Sequence, residues 1–585
     1  MKVQAEDSDR NTTLWSALRL QWTCVIAAGA LAAGLGFWGF WRYFQANGSH
    51  GSILDAVYCT CMLFTFYFAG DNGPKPWALE VARFLAPAVT SYTVVLTLLR
   101  MMGQRWQLGR LTGHMVVCGL GYKGVYLAKR YLRNGGRVVI IEATEDNDWI
   151  EVCRSLGAVV LNGNAADEDM LRQAHVASAS QLIAVCEKDT TNIQIAMLAS
   201  ALTRHGRSPA LPPLHCLVHV VSLKWCVALR NMGVLDGAEA GCTTVSFNFF
   251  ENSARALLIQ HPLDREPIKP DDPRHVHLVL IDANNMAEAL MVQAIRVAHF
   301  ANNVRPRITL IDEHADREKN LFYAQFPFAD QTADIEFRNG VAQDPAVRKD
   351  LIAWAADGKS LMTVAVCAND EMAAMETAVT LPAELRQQAT PIFVRLAEAS
   401  GITGVLEHAQ QKLGVRAFGS IHDGCRIRED LDRQAKALHE VYTAEAKRAG
   451  RTAEQDAAMR PWKKLNTGFK DANRQAADHI PVKLRAVGCV AVPAKDAPDG
   501  ATFAFTPEEV EILARMEHAR WCAERFMAGW KLGAEDKPNQ VSPSLVPYDQ
   551  LDDAIKEYDR VAVRSIPKIL WDHAGMGVKK LQQGA

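Results

Sequence analysis

No two cysteines in the 585-residue chain are spaced C-x-x-C. That excludes the usual zinc ribbon and the thioredoxin-type redox motif. Cys59-Thr60-Cys61 lies in an apolar stretch and reads as two reduced thiols. Neither an H-E-x-x-H run nor a Ser-His-Asp set stands out, so no metal site and no hydrolytic triad are expected. Charge of one sign is lacking as well. A net charge of −2 makes no whole-chain case for nucleic-acid binding.

Length and hydrophobicity are abundant instead. At about 150 residues per domain the chain holds three or four domains. Its apolar residues are concentrated near the N-terminus. Residues 1–13 are polar and are expected to be disordered, ahead of a membrane domain at 14–110. Residues 23–41 carry no charge for 19 residues and are flanked by Arg19 and Arg42, enough to span a hydrocarbon core of about 30 Å. A signal peptide is the alternative, but the run is long and further hydrophobic segments follow it. Trp38, Trp41 and Tyr43 suit a membrane interface. Residues 53–69 are apolar except for Asp55, and 84–99 are apolar up to Arg100. Arg10 and Arg19 before the first run, and Arg100, Arg105 and Arg110 after the last, place both ends on the cytosolic side. An even number of spans follows, so the middle segment is expected to be re-entrant.

Met115-Val116-Val117-Cys118 reads as a buried strand, and residues 125–132 read as a helix. Between them stands Gly119-Leu120-Gly121-Tyr122-Lys123-Gly124, a Gly-x-Gly-x-x-Gly turn that lets a backbone approach a phosphate at a helix N-terminus. Glu142 ends the next strand and suits a ribose diol. The alternative is a Rossmann-type unit that kept its glycines only for packing. Lys123 could meet a phosphate or be a solvated loop lysine. Strands and helices alternate through 113–265, which implies a parallel, doubly wound sheet. A linker at 262–274 follows, and the pattern then restarts over 275–420. There Asp282, Asn284 and Ala287 stand where the first copy has Gly119, Gly121 and Gly124. The second copy is therefore expected to keep the fold and lose the phosphate loop, since Asp282 would repel a phosphate.

Helix, re-entrant segment, helix and nucleotide-binding unit together resemble two-helix potassium channels with tandem RCK (KTN, TrkA-N) domains. The resemblance covers the whole first α/β unit, including Asp189-x-x-Asn192, and implies that Asp189 and Asn192 join the cofactor site. It implies a pore loop at Thr65-Phe66-Tyr67-Phe68-Ala69-Gly70-Asp71. Potassium filters read T-V-G-Y-G-D, and Phe68 here takes the place of the first filter glycine. A carbonyl ring needs backbone geometry that glycine permits and phenylalanine largely does not. A plain two-helix anchor is the alternative.

From about 430 the pattern is helical and repeats internally. Residues 438–445 parallel 517–524, Gly450 answers Gly529, Pro461-Trp462 answers Pro547-Tyr548, Asn473-Arg474 answers Asp559-Arg560, and Ile480-Pro481 answers Ile566-Pro567. Two such halves can pack as a pseudo-symmetric pair with a shared groove. The segment 430–575 resembles the ryanodine-receptor (RyR) repeat domain, expected to be all-α, and the resemblance implies an unknown nucleotide-like ligand. Trp462, Asn473, Arg474, Glu517, Arg520, Trp521 and Tyr548 are the candidate contacts, because aromatics with Arg and a carboxylate can stack a base and bind a phosphate or ribose. The alternative is a tryptophan-rich helical core with surface ion pairs.

The expected function is a ligand-gated membrane ion channel regulated by NAD(H) or another adenine nucleotide, in a homo-oligomer (tetramer or dimer) of the inner membrane. Membrane lipids, permeant cations and nucleotides are the expected partners, and nucleic acid is not. The membrane protein is expected to be multi-pass, with its N-terminus and C-terminal domains cytoplasmic. Domain company points to stress or antiviral defence. The alternative is a membrane-anchored nucleotide sensor without a pore. An oxidoreductase is disfavoured, because His175 and Asp189 are isolated and no acid or base is set for hydride transfer.

Overall fold

The computed structural model describes residues 2–46, 51–68, 75–109, 111–231, 238–239, 241–396, 412–425, 432–448, 450–454, 456–497 and 502–581. It divides into two compact units, Met1–Val116 with Ala128–Ser180, and Val117–Leu127 with Gln181–Ala585.

The first unit begins with helix α1, Lys2–Ala46. No Gly or Pro occurs before Gly29, so no backbone breaker interrupts this stretch. Helix α2 spans Ile53–Phe64 and α3 spans Trp77–Gly109. Two stretches, Thr23–Ala46 and Trp77–Thr97, are long and apolar enough to cross a membrane. The 12 residues of α2 reach only about 18 Å and cannot. Helices α1 and α3 run antiparallel. A Cβ on Gly29 would lie 3.9 Å from Val89, and one on Gly39 would lie 2.8 Å from the Leu79 backbone. Such glycines let two membrane helices approach closely. Helix α2 starts beside Phe44, where Gly51 packs, and descends until Thr60 and Leu63 face Gly36. Phe68 then stacks on Phe40, and Trp77 lies tilted against Trp38, so the chain has turned back toward the end it came from. A small apolar core joins Ala32, Phe40, Leu63, Leu79 and Ala86.

The first sheet has seven strands: β1 Met115–Cys118, β2 Val138–Glu142, β3 Val159–Asn162, β4 Gln181–Ala184, β5 Leu214–His219, β6 Ala238–Glu239 and β7 Cys242–Phe247. Their order is β3-β2-β1-β4-β5-β7-β6. The second sheet has β8 His275–Ile281, β9 Arg307–Asp312, β10 Asp334–Asn339, β11 Ser360–Val366, β12 Ile392–Arg395 and β13 Val415–Phe418, in the order β10-β9-β8-β11-β12-β13 and parallel throughout. With β6 set aside the two orders are the same, so the internal repeat is a repeat of topology. In such sheets the crevice outside the strand C-termini, where the order reverses, is the ligand-binding edge.

The C-terminal segment is mainly helical. One half holds helices Arg433–Arg448, Thr467–Asp478 and Ile480–Ala486; the other holds Pro507–Met527, Asp553–Arg564 and Ile566–Ile569. It is not wholly α. Strand β14, Cys489–Pro493, pairs antiparallel with β17, Met576–Lys580, and Lys531–Leu532 (β15) pairs with Val541–Ser542 (β16). Ala491 faces Val578 and Val492 faces Gly577. If Ile480 corresponds to Ile566, then Ala491 corresponds to Gly577 and Val492 to Val578. Each pair therefore maps onto the other, and a pseudo-two-fold axis passes between them.

Candidate nucleotide loop and its docked helical domain

Strand β1 is fully buried and delivers the chain to Gly119, which turns with φ 95°. A Cβ there would lie 3.0 Å from the Cys186 backbone nitrogen, and one on Gly124 would lie 2.0 Å from the Gly119 carbonyl oxygen. Both glycines are obligatory for packing. Gly121 differs, because a Cβ there would meet nothing within 4 Å. Helix Tyr122–Arg133 starts directly after it, with Val125 N–H donating to Gly121 O. The end of this helix carries the positive end of its dipole, next to the space left open at Gly121. Leu120 is buried and Tyr122 is exposed.

The second copy shows what a closed version looks like. Asn284, in the place of Gly121, caps its helix by accepting from Met286 and Ala287 N–H. Its amide donates to Cys367 O (2.5 Å), and Asp312 accepts from Ala283 N–H (2.8 Å). The protein's own side chains thus take the donors that a phosphate would use. Burial, with Asp312 and Glu313 nearby, raises the Asp282 pKa. Among the described residues the first copy alone keeps the three glycines of this loop.

Two other expected contacts, Asn192 and Asp189, are hydrogen-bonded to backbone. Asn192 is buried; its Oδ1 accepts from Cys186 N–H, and its Nδ2 donates to Cys186 O and His219 O. Asp189 accepts from Val221 and Ser222 N–H. Both residues fix the strand ends that form the crevice. Lys123, expected either at a phosphate or as a solvated loop lysine, is half-buried. Its Nζ lies 3.3 Å from His219 Nε2 and 5.2 Å from the centre of the Phe249 ring. Burial lowers the Lys123 pKa, and burial with Lys123 nearby pushes His219 down to about 3. His219 is therefore a neutral acceptor for the lysine. In the other unit Glu142 ends β2, nearly buried, and accepts from Thr144 N–H.

In the expected pore loop, Thr65 Oγ1 donates to Met62 O (2.8 Å). Tyr67 N–H reaches Met62 O and Phe66 N–H reaches Leu63 O, closing α2 with Phe66 at φ 66°. That left-handed position is normally glycine's, so it stores strain. Phe68 lies under two cations, Lys75 at 5.1 Å and Arg83 at 5.5 Å from its ring centre. Ala69, Gly70 and Asp71 lie outside the described residues.

The C-terminal candidates divide. Glu517 and Arg520 are 7% and 3% exposed. Glu517 accepts from Lys483 Nζ at 2.6 Å and from Arg520, which also faces Glu524 at 3.4 Å. Burial alone would raise the Glu517 pKa, but Arg520 and Lys483 hold it well below the usual carboxylate range. Two cations and two carboxylates balance one another in the interior. These residues build the core rather than face a groove, which corrects the expectation for both. Tyr548 is also buried. Its half and the other repeat the same construction. His439 Nε2 lies 2.9 Å from Arg460 O, and His518 Nε2 lies 2.8 Å from Val546 O, each carbonyl just before a Pro-aromatic turn. Arg474 grips Asp432 as Arg560 grips Glu511. Asn473 is spent on Phe469 O. Half-buried Trp462 lies 5.9 Å from Arg474, and half-buried Trp521 stacks on His518. The halves meet at Arg451, whose guanidinium lies 5.6 Å from the Tyr442 ring and 5.2 Å from the Tyr558 ring. The sequence reading did not single out this seam, and Gly450 beside it was the available signal.

A second set of residues escaped the sequence reading, with no local signal to find it. Arg255, on helix Phe249–Gln260, holds Asp478 through two bonds of 2.6 and 2.7 Å, both side chains nearly buried. Arg485 holds Asp264 through bonds of 2.8 and 2.7 Å. His479 Nε2 lies 2.8 Å from His299 O. The helical domain is therefore fastened to the last helix of the first α/β copy, to the linker, and to the second copy. Phe249, under Lys123 of the glycine loop, begins that fastened helix.

The glutathione-regulated potassium-efflux system protein KefC of Enterobacter sp. (strain 638) is 32% identical over 128 residues, 21% of this chain and 20% of that protein. KefC of Salmonella heidelberg (strain SL476) is 28% identical over 158 residues, 25% of this chain and 24% of that protein. The matched part is thus at most about a quarter of the length of these relatives. Among solved structures, the GsuK channel bound to NAD is 13% identical, with TM-score 0.35 over 86% of this chain and 91% of that one. The human SLO3 gating ring is 12% identical, with TM-score 0.36 over 53% of this chain and 81% of that one. The chain carries a TrkA-N domain at residues 115–209 and an RyR domain at residues 506–578.

Proposed function

We propose that the chain is the subunit of a ligand-gated membrane ion channel, opened or closed by a nucleotide at Gly119–Gly124 and by a second ligand in the helical domain. The observation that carries this reading is α2, a helix too short to cross, which descends between two span-length helices and turns back. A plain anchor has no use for it. One hairpin cannot enclose a pore, so a homo-oligomer, tetramer or dimer, is part of the proposal. So is an inner-membrane location with both termini cytoplasmic. The loop fits the diphosphate of NAD(H) or another adenine nucleotide: Gly121 leaves room, and the helix end supplies N–H donors. Such a ligand shifts the closed–open equilibrium by its differential affinity for the two states. The fastened helix behind Phe249 gives the helical domain a route to the same loop.

Potassium efflux is named for the Enterobacter and Salmonella relatives, and cation flux is proposed here. Phe68 in the place of a filter glycine argues for weak discrimination among cations. The cations held over Phe68 favour a second reading, a nucleotide sensor whose hairpin conducts nothing. Reconstituted full chain decides between them. Nucleotide-dependent potassium or sodium flux is expected with NAD or ADP. No flux of either ion from folded, membrane-inserted protein would leave the sensor.

A further inference from the structure

We infer that the end of the hairpin remote from Gly109 binds the headgroup of an anionic phospholipid, through Arg42 and Lys75 beside the Trp38–Trp77 pair. The inference rests on the reading that the hairpin spans a membrane. Depth comes first. Trp38 and Trp77 touch, with ring centres 6.0 Å apart. Trp77 opens the span Trp77–Thr97, and Trp38 lies about 22 Å along the span that starts at Thr23. Two helices running in opposite directions thus place their tryptophans at one level, where a hydrocarbon core of about 30 Å gives way to headgroups. Both rings are exposed, at 42% and 65%.

Charge comes second. Arg42 lies one turn beyond Trp38, with its guanidinium 5.6 Å from the ring centre. Lys75 is two residues before Trp77, over Phe68. Among the described residues the carboxylates at this end are taken. Asp55 accepts from the Ser52 N–H and hydroxyl in a capping box, and Glu80 pairs with Arg83 at 3.1 Å. Arg42 and Lys75 are thus left facing headgroup depth without a described carboxylate partner. A phosphodiester complements them, and the tryptophan faces next to them suit the upper acyl chain. Only a lipid presents that charge and that tail together, so a free phosphate is not the occupant.

The test uses the full chain in vesicles of phosphatidylcholine mixed with phosphatidylglycerol, extracted gently and read by native mass spectrometry for retained lipid. Phosphatidylglycerol is expected to be retained over phosphatidylcholine. R42Q and K75Q should each reduce that preference about fivefold, and W77A should lower retention of both lipids. Equal retention of the two lipids by protein that stays in alkali-washed vesicles overturns this site and leaves the membrane reading standing. Protein washed out of the vesicles overturns both. Displacement of the lipid by glycerol phosphate would show a phosphate site without tail recognition, and also overturns the inference.

Discussion

Replacing Asp478 by alanine should undock the helical domain. Arg255 makes two short bonds to this carboxylate, and Gln293 adds a third contact at 3.4 Å. With the carboxylate gone, a guanidinium is left in a site that exposes 12% of its side chain. Breaking a buried pair in this way costs about 3–5 kcal/mol, a large share of a typical total stability of roughly 5–15 kcal/mol. Several domains share this chain, so a single melting temperature is a poor readout. Amide hydrogen exchange in helices Phe249–Gln260 and Thr467–Asp478 is the better assay. A loss of 3 kcal/mol corresponds to opening about two orders of magnitude more often. The double variant R255M/D478L removes both charges and should return exchange to near the native rate, since an apolar pair of similar volume is often neutral. Native exchange in D478A would show that the bridge only balances its own desolvation. A double variant as labile as D478A would show that the unpaired charge was not the cause.

Three further outcomes follow from the same geometry. Gly124→Ala should abolish NAD or ADP binding at the loop, because its Cβ would lie 2.0 Å from the Gly119 oxygen; calorimetry that shows native affinity would remove the loop assignment. Stability should fall on both sides of neutrality, as checked by denaturant midpoints against pH. Burial holds His219 and His277 to about 3 and His299 to about 4, so the folded state binds fewer protons and each histidine costs roughly 1.4 kcal/mol per pH unit below about 6.5. Burial opposes the charge on His518, yet its bond to Asp559 raises it to about 10. That contribution is therefore complete below about 6.5 and disappears as pH rises through 10. Gly39→Leu should force α1 and α3 apart, since even a Cβ would lie 2.8 Å from the Leu79 backbone; overpacking of this kind costs about 1–3 kcal/mol or more, read as earlier loss of the folded hairpin in detergent titration.

What was legible in the sequence depended on where a residue's partner lies. Gly119 and Gly124 declare their role because a Cβ at either would press on neighbouring backbone. Asn284 and Asp282 declare the loss of the second loop by standing where the first copy has glycines. Polar residues are ambiguous until the chain is folded. Lys123 looked like a phosphate ligand, but its partner is a histidine 96 residues away. Glu517 and Arg520 looked like a groove, but Lys483 turns them into a core. Arg255 and Asp478 are 223 residues apart and carry no local pattern at all. Among the strands not named from the sequence is β10. Strand β10 runs Asp-Ile-Glu-Phe-Arg-Asn with no buried face of its own, so neither a continuous apolar run nor clean burial marked it. The topology of the second copy recovers it, because the order of the first sheet requires a strand there.

The pairing of β14 with β17 has a consequence for assembly. The two strands are equivalent members of a repeated half, and each covers the other's open edge. A half-domain expressed alone would present that edge uncovered. Its own twin would supply the missing strand in the same antiparallel register, because the axis that relates the halves would then relate two molecules. Fusing the halves in one chain replaces a concentration-dependent homodimer with an intramolecular contact. It also frees each half to change its aromatic residue separately, as Trp462 and Tyr548 have.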